Sequence, residues 1–227
     1  MEPDIAHVAG LIADQTRSRM LMALMGGKAL TATELALEAD ITAQTASSHL
    51  QKLVEGDMLT VRKQGRHKYF QLKNQNIAAL LETLLNVSVS LSSLGIKTGP
   101  ENERLRRSRV CYDHLAGELG VSLFDHLVSK GWVSDNVDDA TLTEEGLHYF
   151  QSIGFDGAEQ KKSKRPLCKA CLDWSERRNH LAGRLGQWIL DDALSKQWAL
   201  RDMDSRAIEF TQRGLRLFHQ KYQIQPE

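Results

Sequence analysis

Long apolar runs are missing from this 227-residue chain. No stretch approaches the roughly 20 consecutive apolar residues that a bilayer core demands, and no charged-then-apolar leader opens the sequence. These absences predict a cytoplasmic protein with no membrane partner. Net charge is missing as well: 29 Lys and Arg balance 29 Asp and Glu. With no bulk cationic field, any affinity for nucleic acid must come from local clustering, which favours a site-selective binder over a coating protein. Cysteine is scarce and odd in number, three residues, which suits reduced thiols inside a cell rather than a disulfide framework. Phosphate loops, GxSxG elbows and glycine-rich nucleotide fingerprints do not occur, and the chain reads as a non-enzyme. Its length suggests two domains.

The informative stretch runs from Thr42 to Leu72. Thr42 can cap a helix with its side-chain oxygen. Ala46, Leu50, Leu53 and Val54 then fall at helical spacing and form an apolar stripe. Gln44, Thr45, Ser47, Ser48 and His49 occupy the other face, where short polar side chains can exchange hydrogen bonds with base edges in a major groove. Gly56-Asp57 stops the helix, residues 58–63 alternate, and beyond Gln64-Gly65-Arg66 the β-type usage continues at Tyr69 and Phe70. Six Lys or Arg lie between Lys52 and Lys73 against only Glu55 and Asp57. Lys63, Arg66 and Lys68 sit where a hairpin tip would meet phosphate.

This combination resembles the ArsR-type winged helix-turn-helix repressors over roughly residues 5 to 94. The matching pieces are an opening helix ending in ADQTRSRMLMAL, the segment TATELALEADITAQTASSHLQKLVEGDML and the wing VRKQGRHKYFQL. The resemblance implies a scaffold helix over Thr33 to Ala39 and a recognition helix over Ala43 to Glu55. By position, Gln44, Thr45, Ser47, Ser48 and His49 would face the groove, and Arg66 would reach from the wing. Family members dimerise through terminal helices, and here Ile77, Leu80, Leu81, Leu84, Leu85 and Leu91 recur near every 3.5 residues. That seam can pair two helices, or it can pack on its own domain. A homodimer implies double-stranded DNA with an imperfect palindromic operator. Two departures matter. The metal-sensing branch carries Cys-x-Cys in the scaffold helix, where this chain has Leu35-Ala36-Leu37-Glu38-Ala39-Asp40, and uses Asp/His pairs on the dimer helix, where Asn76 to Leu94 has neither. Neither known metal site transfers.

A boundary falls near Leu94-Gly95, in the glycine- and proline-containing segment GIKTGPEN. Beyond it the chain is duplicated. His114-Leu115-Ala116-Gly117-Glu118-Leu119-Gly120 recurs as His180-Leu181-Ala182-Gly183-Arg184-Leu185-Gly186, and LVSKGW and LTEEGL recur as ALSKQW and FTQRGL. Each unit reads helix, hairpin, helix, with Leu115, Leu119, Leu123 and Leu127 on one helical stripe and Thr143 and Thr211 as N-caps. Two glycines inside each helix would cost about 1 kcal/mol apiece relative to alanine. The repetition points to close approach of the two HLAG helices at Gly117 and Gly183, or to a ligand cleft between repeats. The resulting fold class is mostly α with short β-hairpins (α+β). A winged helix-turn-helix is expected over residues 1–95, followed by a two-repeat α-β-β-α sensor domain over 104–227.

Cys111 precedes the first HLAG and Cys171 the second, with Trp174 to Asn179 inserted before His180. Cys168 completes a Cys-x-x-Cys pair, and Cys111-x-x-His114 is its matching half. Four readings stay open. Cys111, His114, Cys168, Cys171 and His180 could supply a tetrahedral zinc site. Three thiolates would suit a softer ion. Lys164, Arg165 and Lys169 could activate a redox thiol. The cysteines could also be small buried hydrophobes. The expected function is a sequence-specific DNA-binding regulator, a dimeric repressor released by a ligand or thiol signal at the C-terminal domain. A metal- or metalloid-responsive repressor and a cysteine enzyme tethered to a DNA-binding domain are the alternatives. Cofactors are not fixed by this reading; zinc or another thiophilic metal is the candidate.

Overall fold

The computed structural model describes residues 4–65, 67–91, 99–136, 139–156, 165–202 and 204–224, except the side chains of 89–91. It divides into two compact units, Met1–Leu84 and Leu85–Glu227. The Leu94-Gly95 segment, Arg66, Lys164 and the side chain of Leu91 lie outside the described residues.

In the first unit, the opening helix is in fact two: α1 (Ile5–Ala13) and α2 (Gln15–Leu24). Asp14 divides them. Its extended backbone ends α1, and its carboxylate accepts a hydrogen bond from the Arg17 amide at 2.9 Å, capping α2. Strand β1 (Leu30–Thr31) leads into α3 (Ala32–Glu38), which begins with a capping box between Thr31 and Glu34. Helix α4 (Ala43–Glu55) is capped by Thr42 and buries Ala46, Leu50 and Leu53. Strands β2 (Leu59–Gln64) and β3 (His67–Leu72) pair in antiparallel register, Lys63 opposite Lys68 and Gln64 opposite His67. Strand β1 joins the other edge of β3, giving the order β1-β3-β2. The core is made by Met20, Leu21, Leu24, Leu35, Leu50, Leu53 and Phe70. Helix α5 (Gln75–Leu91) follows.

In the second unit, which begins within α5, α6 (Glu103–Arg107) follows, and among the described residues there are four two-stranded hairpins. Hairpin β4 (Arg109–Cys111) with β5 (His114–Ala116) precedes α7 (Glu118–Ser129), β6 (Val133–Asp135), β7 (Ala140–Leu142) and α8 (Glu144–Ser152). The second repeat gives β8 (Lys169–Leu172), β9 (Asn179–Ala182), α9 (Gly183–Ser195), β10 (Ala199–Arg201), β11 (Ile208–Phe210) and α10 (Gln212–Lys221). The helix-hairpin-helix reading therefore describes α7 to α8 and α9 to α10, with Thr143 and Thr211 capping α8 and α10. Its first segment differs. His114-Leu115-Ala116 and His180-Leu181-Ala182 are strands, each preceded by a partner strand. Leu115 therefore belongs to β5 and not to the α7 stripe.

The HLAG glycines explain this change. Gly117 and Gly183 stand at φ +82° and +84°, where a strand turns into a helix and an L side chain is strained. Gly120 and Gly186 supply the close approach. A methyl on Gly120 would meet the Leu115 carbonyl oxygen at 2.5 Å and the His180 Cβ at 3.7 Å. A methyl on Gly186 would meet the Leu181 oxygen at 2.2 Å and the His114 Cβ at 3.3 Å. The contact lies between each helix and the other repeat's strand, not between two HLAG helices: α7 packs on β9, and α9 packs on β5. One core, including Leu123, Phe124, Phe150, Leu185, Ile189 and Phe218, fills the space between the repeats.

Gly186→Ala should destabilise the second unit by about 1–3 kcal/mol, because its new methyl must displace backbone. Gly10→Ala, with nothing within 4 Å of its added methyl, should be neutral or stabilising by up to about 1 kcal/mol. Denaturant unfolding of both variants beside the parent protein checks the contrast.

Candidate nucleic-acid interface and a buried cysteine–histidine group

On α4, Gln44, Thr45, Ser47 and Ser48 are exposed, opposite the buried Ala46, Leu50 and Leu53. Thr42 is also exposed, but its hydroxyl is occupied: it accepts from the Thr45 amide at 3.2 Å and lies 2.9 Å from the Thr45 hydroxyl. Ser47 donates back to the Ala43 carbonyl at 3.0 Å. His49 departs from this row. It is half-buried, with Nδ1 3.5 Å from Asp14. Three residues after Ala46, it sits on the edge of the apolar stripe and turns toward the α1–α2 corner. Lys63 and Lys68 face each other across the exposed wing.

In the second unit, cross-strand pairing brings together residues that are far apart in sequence. Cys111 is directly opposite His114 in β4–β5, and Cys171 is directly opposite His180 in β8–β9. The two hairpins meet with His114 Nε2 3.1 Å from His180 Nε2. One donor atom from each of these four residues lies within 4.8 Å of all the others. Cys111, His114 and His180 are buried, and Cys171 is half-buried. Cys168 is outside the group. It belongs to the hydrophobic core, and burial pushes its thiol up to about 12. The Cys-x-x-Cys spacing therefore does not describe a pair of facing ligands.

A carboxylate stands behind each imidazole. Asp113 is 3.1 Å from His114 Nδ1 and is held by Arg165 at 2.7 and 2.9 Å. Asp173 is 3.6 Å from His180 Nδ1. It is fully buried and paired with Arg109 at 2.6 Å. Burial alone would raise the Asp173 carboxyl, but the Arg109 guanidinium, His180 and the Gly117 amide hold it well below the carboxylate range. Burial would likewise lower His114, yet its hydrogen bonds to Asp113 and Cys171 lift it to about 9. A hydrogen bond from Cys111 and the neighbouring histidines hold Cys171 well below the ordinary thiol range despite burial. The group thus supports a thiolate, and its four donors can surround one small cation. Elsewhere in this unit, an open cleft of about 650 Å3 is lined from both repeats, by Arg104, Arg107, Glu118, Arg178, Phe210 and His219 among others.

A three-stranded wing beside a capped helix with a polar outer face defines a winged helix-turn-helix unit. A model described as a helix-turn-helix domain matches residues 12–62. The chain is 39% identical over 214 residues to YdfF of Bacillus subtilis (strain 168), described as an uncharacterized HTH-type transcriptional regulator, covering 94% of this chain and 95% of YdfF. The chain belongs to the ArsR family of winged helix-turn-helix transcriptional regulators, with a C-terminal extension, and is a DNA-binding regulator of the helix-turn-helix type. Solved structures similar to part of it include the homodimeric winged helix-turn-helix domain of Mb0332 from Mycobacterium bovis, a possible ArsR-family regulator. That domain is 23% identical, over 39% of this chain and 81% of that one, with a TM-score of 0.36. The cadmium metal-sensor CMTR from Mycobacterium tuberculosis is 22% identical over 43% of this chain and 94% of its own, with a TM-score of 0.31. Among the described residues, no helix is long and apolar enough to cross a membrane.

Replacing Arg109 by Met should destabilise the second unit by about 3–5 kcal/mol, because it strands the buried Asp173 charge. Arg178→Ala removes an exposed pair with Asp125 and should change stability by less than about 1 kcal/mol. Urea unfolding followed by tryptophan fluorescence, weighted to the second unit by its four tryptophans, separates the two.

Proposed function

We propose that the chain is a dimeric repressor that reads an imperfect palindromic operator and is released by a signal received in residues 104–227. The observation that carries the DNA reading is the exposed row Gln44, Thr45, Ser47 and Ser48 on a helix whose opposite face is locked into the core. Short side chains there can reach base edges without first unpacking the protein. Lys63 and Lys68 add phosphate contacts beside that row, a local cationic patch on a chain of zero net charge.

Dimerisation is supported by apolar surface on the terminal helices. Helix α1 reads IAHVAGLIA, yet Leu11 is its one buried residue and Ile5 is 81% exposed. On α5, Leu84 and Val87 remain 40% and 46% exposed. Such surface is normally covered by a partner. A second copy that covers it places two recognition helices about 34 Å apart, one turn of DNA. The signal belongs in the second unit because α3 and α5 lack the ligand sets of the family's metal sensors. A metal-responsive version of this reading is favoured by one observation, the four converging donors of Cys111, His114, Cys171 and His180.

Gln44→Ala and Ser48→Ala should each relax discrimination at one base pair by about 1–3 kcal/mol with little change in salt dependence. Lys63→Ala should weaken binding to all sequences alike and lower the salt slope by about one. Binding isotherms on specific and scrambled duplexes at several salt concentrations read both effects. Equal loss on both duplexes for Gln44→Ala would remove α4 from the groove.

A further inference from the structure

We propose that Cys111, His114, Cys171 and His180 form a closed, tetrahedral zinc site that clamps the two repeats of the second unit together. This deepens the reading of that unit, and it stands or falls separately from operator binding. Each hairpin contributes one thiol and one imidazole as a directly opposed cross-strand pair, β4–β5 giving Cys111 and His114, β8–β9 giving Cys171 and His180. Neither hairpin holds more than two of the four converging donors, so an ion bound by all four must join both.

The imidazoles are already oriented for this. His114 Nδ1 is hydrogen-bonded to Asp113, and the Asp173 carboxylate stands 3.6 Å behind His180 Nδ1 as its charge partner. A carboxylate at Nδ1 fixes the N–H there and turns the Nε2 lone pair outward, the arrangement found behind metal-bound histidines. Here both Nε2 atoms turn toward one point, 3.1 Å apart. Two buried lone pairs so close require a proton or a cation between them.

Donor chemistry selects the ion. A tetrahedral shell of two sulfurs and two nitrogens at zinc bond lengths spans about 3.3–3.8 Å between donors. The observed spread, up to 4.8 Å, closes onto zinc with a contraction of at most about 1–1.5 Å. Two thiolates neutralise a divalent charge, so the completed centre is neutral, as a buried site requires. A softer ion that prefers three thiolates is disfavoured because Cys168 lies in the core away from the group, and magnesium or calcium would demand oxygen ligands. With four protein donors in a buried setting, no position remains for substrate, which marks a structural or regulatory site rather than a catalytic one.

The test is elemental analysis of the reduced full-length protein, purified anaerobically without chelator, beside Cys171→Ser, Cys168→Ser and Asp113→Asn. About one zinc per protomer is expected in the parent protein and in Cys168→Ser, with a loss of at least about tenfold in Cys171→Ser. Asp113→Asn keeps all four ligands and should bind zinc about 10–100-fold more weakly by chelator competition, so the proposal stays testable if Cys171→Ser does not fold. Cobalt exchanged into the parent protein should give the visible bands of a tetrahedral thiolate site. Reduced protein that contains no zinc and takes none up would overturn the proposal, as would equal zinc in the parent and Cys171→Ser. A stoichiometric Cys111–Cys171 disulfide formed in such zinc-free protein would assign the group to redox chemistry instead. Operator binding measured on the same samples reads the DNA function independently.

Discussion

Asp173 is the residue on which the second unit turns. Its carboxylate is completely withdrawn from water, a placement that costs several kcal/mol unless paired and hydrogen-bonded throughout. The pairing reaches across the duplication: Arg109 at 2.6 Å and the Gly117 amide at 2.8 Å both come from the first repeat. The remaining acceptor capacity is filled locally by the Ser175 amide, the Ser175 hydroxyl and the Glu176 amide. One charge therefore fixes the start of β4, the turn into α7, the loop that closes β8–β9 and the back of the His180 ring. Arg109 also donates to Leu105 and Ser175 and lies 5.0 Å over the Trp174 ring. Removing any member leaves a buried group without its partner, so these contacts stand or fail together.

Crossed pairing also decides what a duplication can do that one copy cannot. A two-stranded hairpin is marginal alone, since it has no apolar face large enough to exclude water. Here each hairpin is covered by the helix of the other repeat, and the small residues Gly120 and Gly186 let those helices approach the opposite histidine. The ion pair of Asp113 with Arg165 crosses the repeats in the reverse direction to that of Asp173 with Arg109. The cysteine–histidine group sits at the crossing point. Geometry at that point is set by contacts from both halves, which is what a preorganised four-donor site needs.

How far the sequence could be read depended on whether the information was local. Helix α4 spans Ala43–Glu55, the range expected, because its cap, stripe and stop are all written within 16 residues, Thr42 to Asp57. The wing is equally local, although β1 is a strand of two residues that no periodicity announces. His49 illustrates the limit. Its polarity places it with Ser48, but its angular position borders the apolar stripe, and Asp14 arrives there only through tertiary packing. The HLAG segments misled for a related reason. Leu115 continues the four-residue spacing of Leu119 and Leu123, and nothing in that spacing reveals the backbone reversal at Gly117, which its positive φ imposes. The donor group was legible as residue types and not as a set. Cys111 and His114 are three apart while Cys171 and His180 are nine apart, yet each is an opposed pair of its own hairpin, because the six extra residues of the second copy lengthen the hairpin beyond the Cys171–His180 pair. The conspicuous Cys-x-x-Cys spacing drew Cys168 in, although Cys168 lies just before β8 and packs into the core.

The two units therefore differ in what a signal could change. The first holds its polar row on a helix anchored by residues under 2% exposed, so the row proposed to read DNA is held in place by the core. Its scaffold and terminal helices hold neither a thiol nor a His/Asp pair of the kind that senses metals. The second concentrates all three cysteines and joins its halves through buried charge and facing imidazoles. A ligand acts on a regulator only through the difference in its affinity for two conformations. Donors divided equally between two hairpins give that difference directly, because an ion can be held by four ligands only while the repeats are together. The free energy of binding at such a site is then free energy of repeat association. An agent that removed such an ion or oxidised a thiol would weaken the packing of the second unit first, which is the physical reason for placing the proposed switch there.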